Sequence, residues 1–193
     1  RVALVKWEFA GQQPGKLESF LPNGLEGEKV VSLLPLPANE KLSLGLLSSD
    51  GRFKRLALEE VLDLSGRAST ILKLKESVRL KTAVICTPNG NVIIASSFGR
   101  ILKLPVNQNT IPLMGKLAQG PIAMKLLPGE LVIGAVSNSG TNERHILLAT
   151  KKGTLSKLAT RSIKTSERGF VGEIGLELRD EKNHNDRVVD ICD

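Results

Sequence analysis

Apolar and polar positions alternate along this chain in short bursts. Aliphatic runs at residues 2–9, 30–36, 42–47, 52–58, 70–75, 78–87, 92–95, 100–106, 121–126, 131–136, 145–150, 154–159, 174–178 and 188–191 are parted by turn-forming residues. The punctuation includes Pro22-Asn23-Gly24, Ser49-Asp50-Gly51, Pro88-Asn89-Gly90 and Pro128-Gly129. Turn chemistry between short apolar runs is the mark of antiparallel strands. No apolar period of 3.6 lasts long enough for a substantial helix, and residues 56–62 supply at most one helical turn. The pattern predicts an all-β chain.

The pattern also repeats. Ser48-Ser49-Asp50-Gly51-Arg52-Phe53-Lys54-Arg55-Leu56 returns as Ser96-Ser97-Phe98-Gly99-Arg100-Ile101-Leu102-Lys103-Leu104. It returns again as Ala149-Thr150-Lys151-Lys152-Gly153-Thr154-Leu155-Ser156-Lys157-Leu158. From Gly51 to Gly99 is 48 positions and from Gly99 to Gly153 is 54, while Arg1-Val2-Ala3-Leu4-Val5 falls in the register just after such a glycine. A period near 50 residues signals a propeller, solenoid or array, whose units bury a core only by stacking. Each unit holds about four short strands, as a propeller blade does. The expected organisation is a single repeat domain over residues 1–193, with blades at about 1–42, 43–90, 91–143 and 144–193. Because the chain opens inside a repeat without Met and stops abruptly, it is expected to be a piece of a longer polypeptide.

Composition narrows the chemistry. Hydrophobic residues make up 41% of the 193, but aromatics only 3%, so the core must be aliphatic. Two distant cysteines, Cys86 and Cys192, form neither a disulfide framework nor a metal-ligand spacing. His145 and His184 have no partners arranged as a metal or catalytic site, and Glu59-Glu60 and Asp180-Glu181 are simplest as surface charge. No catalytic residue, metal ion or cofactor is expected. The N-terminus has no signal-peptide pattern and no apolar run is long enough to span a bilayer, which favours a cytoplasmic location. A formal charge of +7, with a pI near 9.6, points instead to polyanions.

The cations recur at fixed places. Arg55, Lys103 and Lys157 each stand four positions after the turn glycine; Arg52, Lys54, Arg100, Lys151 and Lys152 lie close by. In a simple pleat this cation would share a face with the apolar residue two positions earlier, so a strand end or bulge is expected to send it outward. A second basic place follows each glycine by about fifteen residues: Gly15-Lys16, Gly66-Arg67, Gly115-Lys116 and Arg168-Gly169, with Arg161 and Lys164 leading into the last. Glycine beside a cation suits close approach of a phosphate to backbone N–H groups. The plainer reading of such cations is protection of exposed strand edges.

At these residues the chain resembles the C-terminal domain of the DNA gyrase / topoisomerase IV A subunit. The likeness lies in residues 147–157 and 51–56, with Pro121-Ile122-Ala123-Met124-Lys125-Leu126 and Gly27-Glu28-Lys29-Val30-Val31-Ser32-Leu33-Leu34-Pro35 similar as well, and it covers nearly the whole chain. The resemblance implies a β-pinwheel, whose blades exchange a strand with their neighbours and bend DNA round a basic rim. It also implies a nucleoid-associated role in DNA supercoiling or a related reaction. The partners would be double-stranded DNA, a B subunit, and the remainder of the A-type polypeptide. The ATP-dependent topoisomerase (isomerase) chemistry would reside elsewhere, because this chain contains no tyrosine to serve as the cleavage nucleophile. The gyrase box, Gln-Arg-Arg-Gly-Gly-Lys-Gly, is not intact; degenerate pieces stand at Met114-Gly115-Lys116-Leu117-Ala118-Gln119-Gly120 and Glu167-Arg168-Gly169. Gyrase and topoisomerase IV thus stay equally open.

The expected interface is Arg52, Lys54, Arg55, Arg67, Arg100, Lys103, Lys116, Lys151, Lys152, Lys157, Arg161, Lys164 and Arg168, binding duplex phosphates without regard to sequence. The alternative is a protein-interaction propeller of kelch or RCC1-like type with a basic rim. The Trp-Asp and Gly-His marks of WD40 blades are missing, Trp7 being the only tryptophan. A carbohydrate-active propeller would need sugar-stacking aromatics and a carboxylate pair that the chain does not offer.

Overall fold

The computed structural model describes residues 2–5, 15–16, 27–37, 41–62, 68–140, 144–178 and 186–193. Within them the chain forms short antiparallel strands, a single-turn α-helix, α1 (Glu59–Leu62), and a 3-10 turn at Thr160–Ser162. Each full repeat begins with a hairpin: β2 (Ser43–Ser48) with β3 (Phe53–Ala57), β6 (Asn91–Ser96) with β7 (Arg100–Pro105), and β9 (His145–Thr150) with β10 (Leu155–Ala159). The hairpin turns need Gly51 and Gly99, at φ of +79° and +77°. The last strand of each unit then pairs with the first: β5 (Leu80–Cys86) on β2, β8 (Val132–Asn138) on β6, and β12 (Val188–Cys192) on β9.

Where the described residues show a segment in the fourth position of a blade, it comes from the next unit. Strand β11 (Glu173–Ile174), from the unit that starts with β9, pairs with β7 and completes the order β11-β7-β6-β8. On β3 the same place is taken by residues 111–124 of the following unit, through the bridges Arg55↔Leu113 and Arg52↔Ile122. At the start of the chain β4 (Ser69–Leu72) lies on β1 (Val2–Leu4) in the same way. Residues 43–90 and 144–193 each hold four strands, residues 91–143 three strands and isolated bridges, and among the described residues the outer strand of a blade is borrowed from the next unit. This is the exchange that the pinwheel resemblance implies.

Why the strands read as aliphatic throughout follows from the stacking. Val92 and Ile94 of β6 face the preceding blade, with Leu47, Phe53 and Cys86. Ile93 and Ala95 face the next, with Ile146, Leu148 and Ile191. A third cluster joins Leu44, Leu46 and Leu56 to Ile71, Leu72, Val2 and Leu4. A sheet covered on both faces loses its polar alternation. No blade owns its core, which is the physical ground for reading the repeats as interdependent.

Two expected strands differ. Residues 30–36 form no ladder; Ser32 Oγ accepts the Ala83 N–H at 3.1 Å and Leu36 packs on the third cluster. In the other units that position pairs with the first hairpin strand, and among the described residues no such strand lies beside it. Residues 121–126 make only isolated bridges, Arg52↔Ile122 and Met124↔Phe170, because they run between two blades rather than within one sheet.

Candidate nucleic-acid interface

The borrowed segment is fastened to its host strand at two points with a loop between them. On β3, Met114 N–H donates to the Arg55 carbonyl at 2.8 Å and Phe53 N–H to the Pro121 carbonyl at 3.1 Å; Ala123 and Met124 N–H both donate to the Gly51 carbonyl, at 2.8 and 3.0 Å. On β7, Ser166 N–H donates to the Lys103 carbonyl at 2.9 Å, Ile101 pairs with Glu173, and Gly175 and Leu176 N–H both reach the Gly99 carbonyl, at 2.8 and 3.0 Å. The two loops have matching backbones. Leu117 and Gly169 hold φ of +74° and +84°, and Gly120 and Gly172 hold +81° and +82°. Leucine in the left-handed region is uncommon, so its occurrence where the other loop has glycine marks a conformation imposed by the two fastenings.

This register puts Lys116 and Arg168 in equivalent places, each five positions before the residue opposite Phe53 or Ile101. Both are exposed. On β1 the partner of Val2 is Leu72, and five positions before it stands Arg67, which lies outside the described residues. Lys164, Lys151, Lys152, Lys157 and Arg161 are exposed as well. Lys125, which is not among the cations expected from the sequence, is exposed beside the loops; its N–H donates to the Phe170 carbonyl at 2.9 Å. The only sequence signal for it is membership in the 121–126 segment.

The cations near the turn glycine lie elsewhere than expected. Lys54 is fully buried and donates from Nζ to the Ile71 carbonyl at 2.7 Å. Arg55, 7% exposed, donates from Nε to the Ile111 carbonyl at 2.9 Å and from a terminal nitrogen to Gln108 Oε1 at 3.1 Å. Half-buried Lys103 reaches the Thr160 and Ile163 carbonyls at 3.0 and 3.3 Å. Outward projection of Arg55 and Lys103 is therefore corrected. Both faces of the hairpin are covered, so no bulge is needed, and the cation caps carbonyls of the borrowed segment. Burial lowers the pKa of the Lys54 ammonium and the Arg55 guanidinium, with Glu60 partly opposing this for Lys54.

Arg52 spans Asp50 at 3.2 Å and the Gly120 carbonyl at 2.9 Å. Arg100 pairs at 3.3 Å with Glu130, a buried carboxylate that also accepts the Ser96 hydroxyl and, at 2.7 Å, the Leu127 N–H. In this geometry Lys54, Arg55, Lys103 and Arg52 reach segments of a neighbouring sheet, Arg100 is held by Glu130 within its own unit, and of the expected cations the exposed ones lie on the loops and the last blade.

Among the described residues no three His, Cys, Asp or Glu side chains group as metal ligands, and no helix is long and apolar enough to cross a membrane.

The sequence model of the family described as DNA gyrase C-terminal domain, beta-propeller, matches residues 46–87 and 90–139. The chain is 30% identical over 162 residues to the A subunit of DNA topoisomerase 4 from Synechocystis sp., covering 79% of this chain and 17% of that protein. It is 24% identical over 181 residues to the A subunit of DNA gyrase from Helicobacter pylori, covering 86% of this chain and 22% of the relative. The chain thus spans about a fifth of the length of these curated relatives. Its fold is similar to the crystal structure of the C-terminal domain of DNA topoisomerase IV, with a TM-score of 0.76 at 16% identity, over 92% of this chain and 54% of that one. It is also similar to the E. coli ParC C-terminal domain, with a TM-score of 0.60 at 12% identity, over 80% and 62% of the two chains.

Proposed function

The chain belongs to the family of C-terminal domains of the DNA gyrase and topoisomerase IV A subunits, and on that premise we propose that it binds duplex DNA without sequence preference and bends it. The observation that carries the reading is the repeated placement of exposed Lys116 and Arg168 on loops of matching backbone on successive blades. A cation recurring on successive blades gives the phosphate backbone a series of contacts with no base to read. Bending 20–30 base pairs through 40–90° costs on the order of 1–6 kcal/mol, so several such contacts are required to offset it. The low aromatic content, 3%, disfavours a single-strand groove built on base stacking.

In this reading the fragment performs no chemistry and uses no cofactor. It presents a DNA segment to a cleavage core carried by the rest of the A-type polypeptide, which works with a B subunit. The setting is the bacterial cytoplasm, at the nucleoid.

The test is binding of a duplex of about 40 base pairs, longer than the bent sites just considered, with a fluorophore at each end and salt varied. Salt-steep binding with increased end-to-end energy transfer is the expected result. Binding without added transfer removes the bending. No binding at low salt passes the molecule to the protein-interaction reading.

A further inference from the structure

Phe170 departs from the other described aromatic side chains. Phe53 is 1% exposed and Phe98 is half-buried, whereas Phe170 is 55% exposed. The repeat does not require an aromatic residue there. Counted back from the matched Gly120 and Gly172, the counterpart of Phe170 on the other loop is Ala118. The main chain fixes where the ring stands. Gly169 N–H donates to the Ala123 carbonyl at 2.7 Å, Lys125 N–H donates to the Phe170 carbonyl at 2.9 Å, and Phe170 bridges Met124 in parallel register. Met124 is fully buried, so the bridge ties an exposed phenyl group to a segment rooted in the core.

The surroundings are basic and apolar together. Arg168 stands two positions before Phe170, Lys125 lies across the bridge, and both are exposed, as is Lys164. Among residues 163–172 the one acid is Glu167. Ile122, two positions before Met124 on the bridged segment, is 46% exposed.

An intact duplex has little to offer a phenyl group. Its outer surface is charged phosphate and sugar, and the faces of its bases are covered by their neighbours. A base released from pairing presents a π-face, and every base has one. We propose that Phe170 is a stacking site for a single unpaired nucleotide in an otherwise duplex DNA, with Ile122 extending the apolar floor and Arg168 and Lys125 meeting the flanking phosphates. The inference rests on the DNA-binding reading and adds a ligand to it. One accessible ring serves one base, so the ligand is a duplex with a bulged nucleotide, and a long single strand gains no more than that. The surrounding cations favour a polyanion over an apolar peptide on the same floor.

The experiment titrates the whole chain, at fixed salt, into two duplexes of about 40 base pairs, one matched and one carrying a single unpaired adenine at its centre. The expected result is about tenfold tighter binding of the bulged duplex, the size of one stacked base. Phe170→Ala is expected to erase that preference while leaving the affinity and salt slope of the matched duplex as they were, and Phe170→Trp to keep it. The Phe170 side chain is exposed, so neither substitution disturbs a core, and unchanged circular dichroism checks this. A bulge also makes DNA easier to bend, so a preference that survives Phe170→Ala belongs to bending and overturns the inference. Equal losses on both duplexes make Phe170 an ordinary duplex contact and overturn it as well. Equal affinity of the parent chain for the two duplexes overturns it and leaves the duplex reading standing. Binding of neither duplex overturns both.

Discussion

Lys103 is a cation engaged by the neighbouring unit. Its ammonium caps the Thr160 and Ile163 carbonyls at the foot of the loop that carries Arg168. Lys103→Met leaves both carbonyls short of a partner and is expected to cost about 1–3 kcal/mol of stability by denaturant unfolding. DNA affinity should fall as the loop loosens while the salt slope holds, and Lys103→Arg should restore most of the loss. A slope that falls with Lys103→Met would make Lys103 a phosphate contact after all.

Cys86 gives a pH signature. Burial pushes its thiol up to about 12 from 9.0, with Arg55 opposing more weakly. Above pH 9 the unfolded chain gives up this proton and the folded chain keeps it, so the unfolded state binds fewer protons and stability falls as pH rises from 9 toward 12. Lys54, its pKa lowered, works the other way as pH approaches 10.5. Cys86→Ala is therefore expected to lose less stability than the parent chain between about pH 8 and pH 10. At about pH 8 a thiol reagent should find exposed Cys192 quickly and buried Cys86 only after unfolding.

At the scale of the element, the unit that matters is the borrowed segment with its two fastenings. The glycines of the three hairpin turns look alike in sequence and share positive φ, yet the segment makes them unequal. Alanine at Gly153 meets only the left-handed backbone penalty, about 1–2 kcal/mol. Alanine at Gly51 or Gly99 must also displace the carbonyl that crowds each of them. Denaturant unfolding should thus rank Gly51→Ala and Gly99→Ala clearly below Gly153→Ala in stability. Equal losses would mean that the borrowed segments contribute little. The hairpins themselves are legible in the sequence, because turn residues and aliphatic runs are local signals. The isolated bridges at residues 111–124 are not, since their partners lie on another unit and no periodicity records them.

For the molecule as a whole, the proposed function has the loop cations on separate blades acting as independent phosphate contacts. Lys116→Glu and Arg168→Glu should each lower the log–log salt slope of duplex binding by about 0.9. The double variant should show the sum, since the two residues share no partner and reside on different loops. A slope unmoved by both would strike them from the interface. Stacking also sets where the core lies: every aliphatic cluster spans two sheets.

Strands, turns, the repeat and the family resemblance all follow from the order of residues alone, because they rest on neighbours in the chain or on their recurrence. The same order singles out the basic positions. Which of those cations face water is settled by packing and by nothing local. Arg55 and Lys103 sit in the same sequence pattern as exposed Lys157, and what separates them is whether another stretch of chain lies across the hairpin. A buried ammonium or guanidinium needs an acceptor, and a borrowed strand arrives with unpaired carbonyls. Each answers the other's need, and that pairing exists only once the blades have packed.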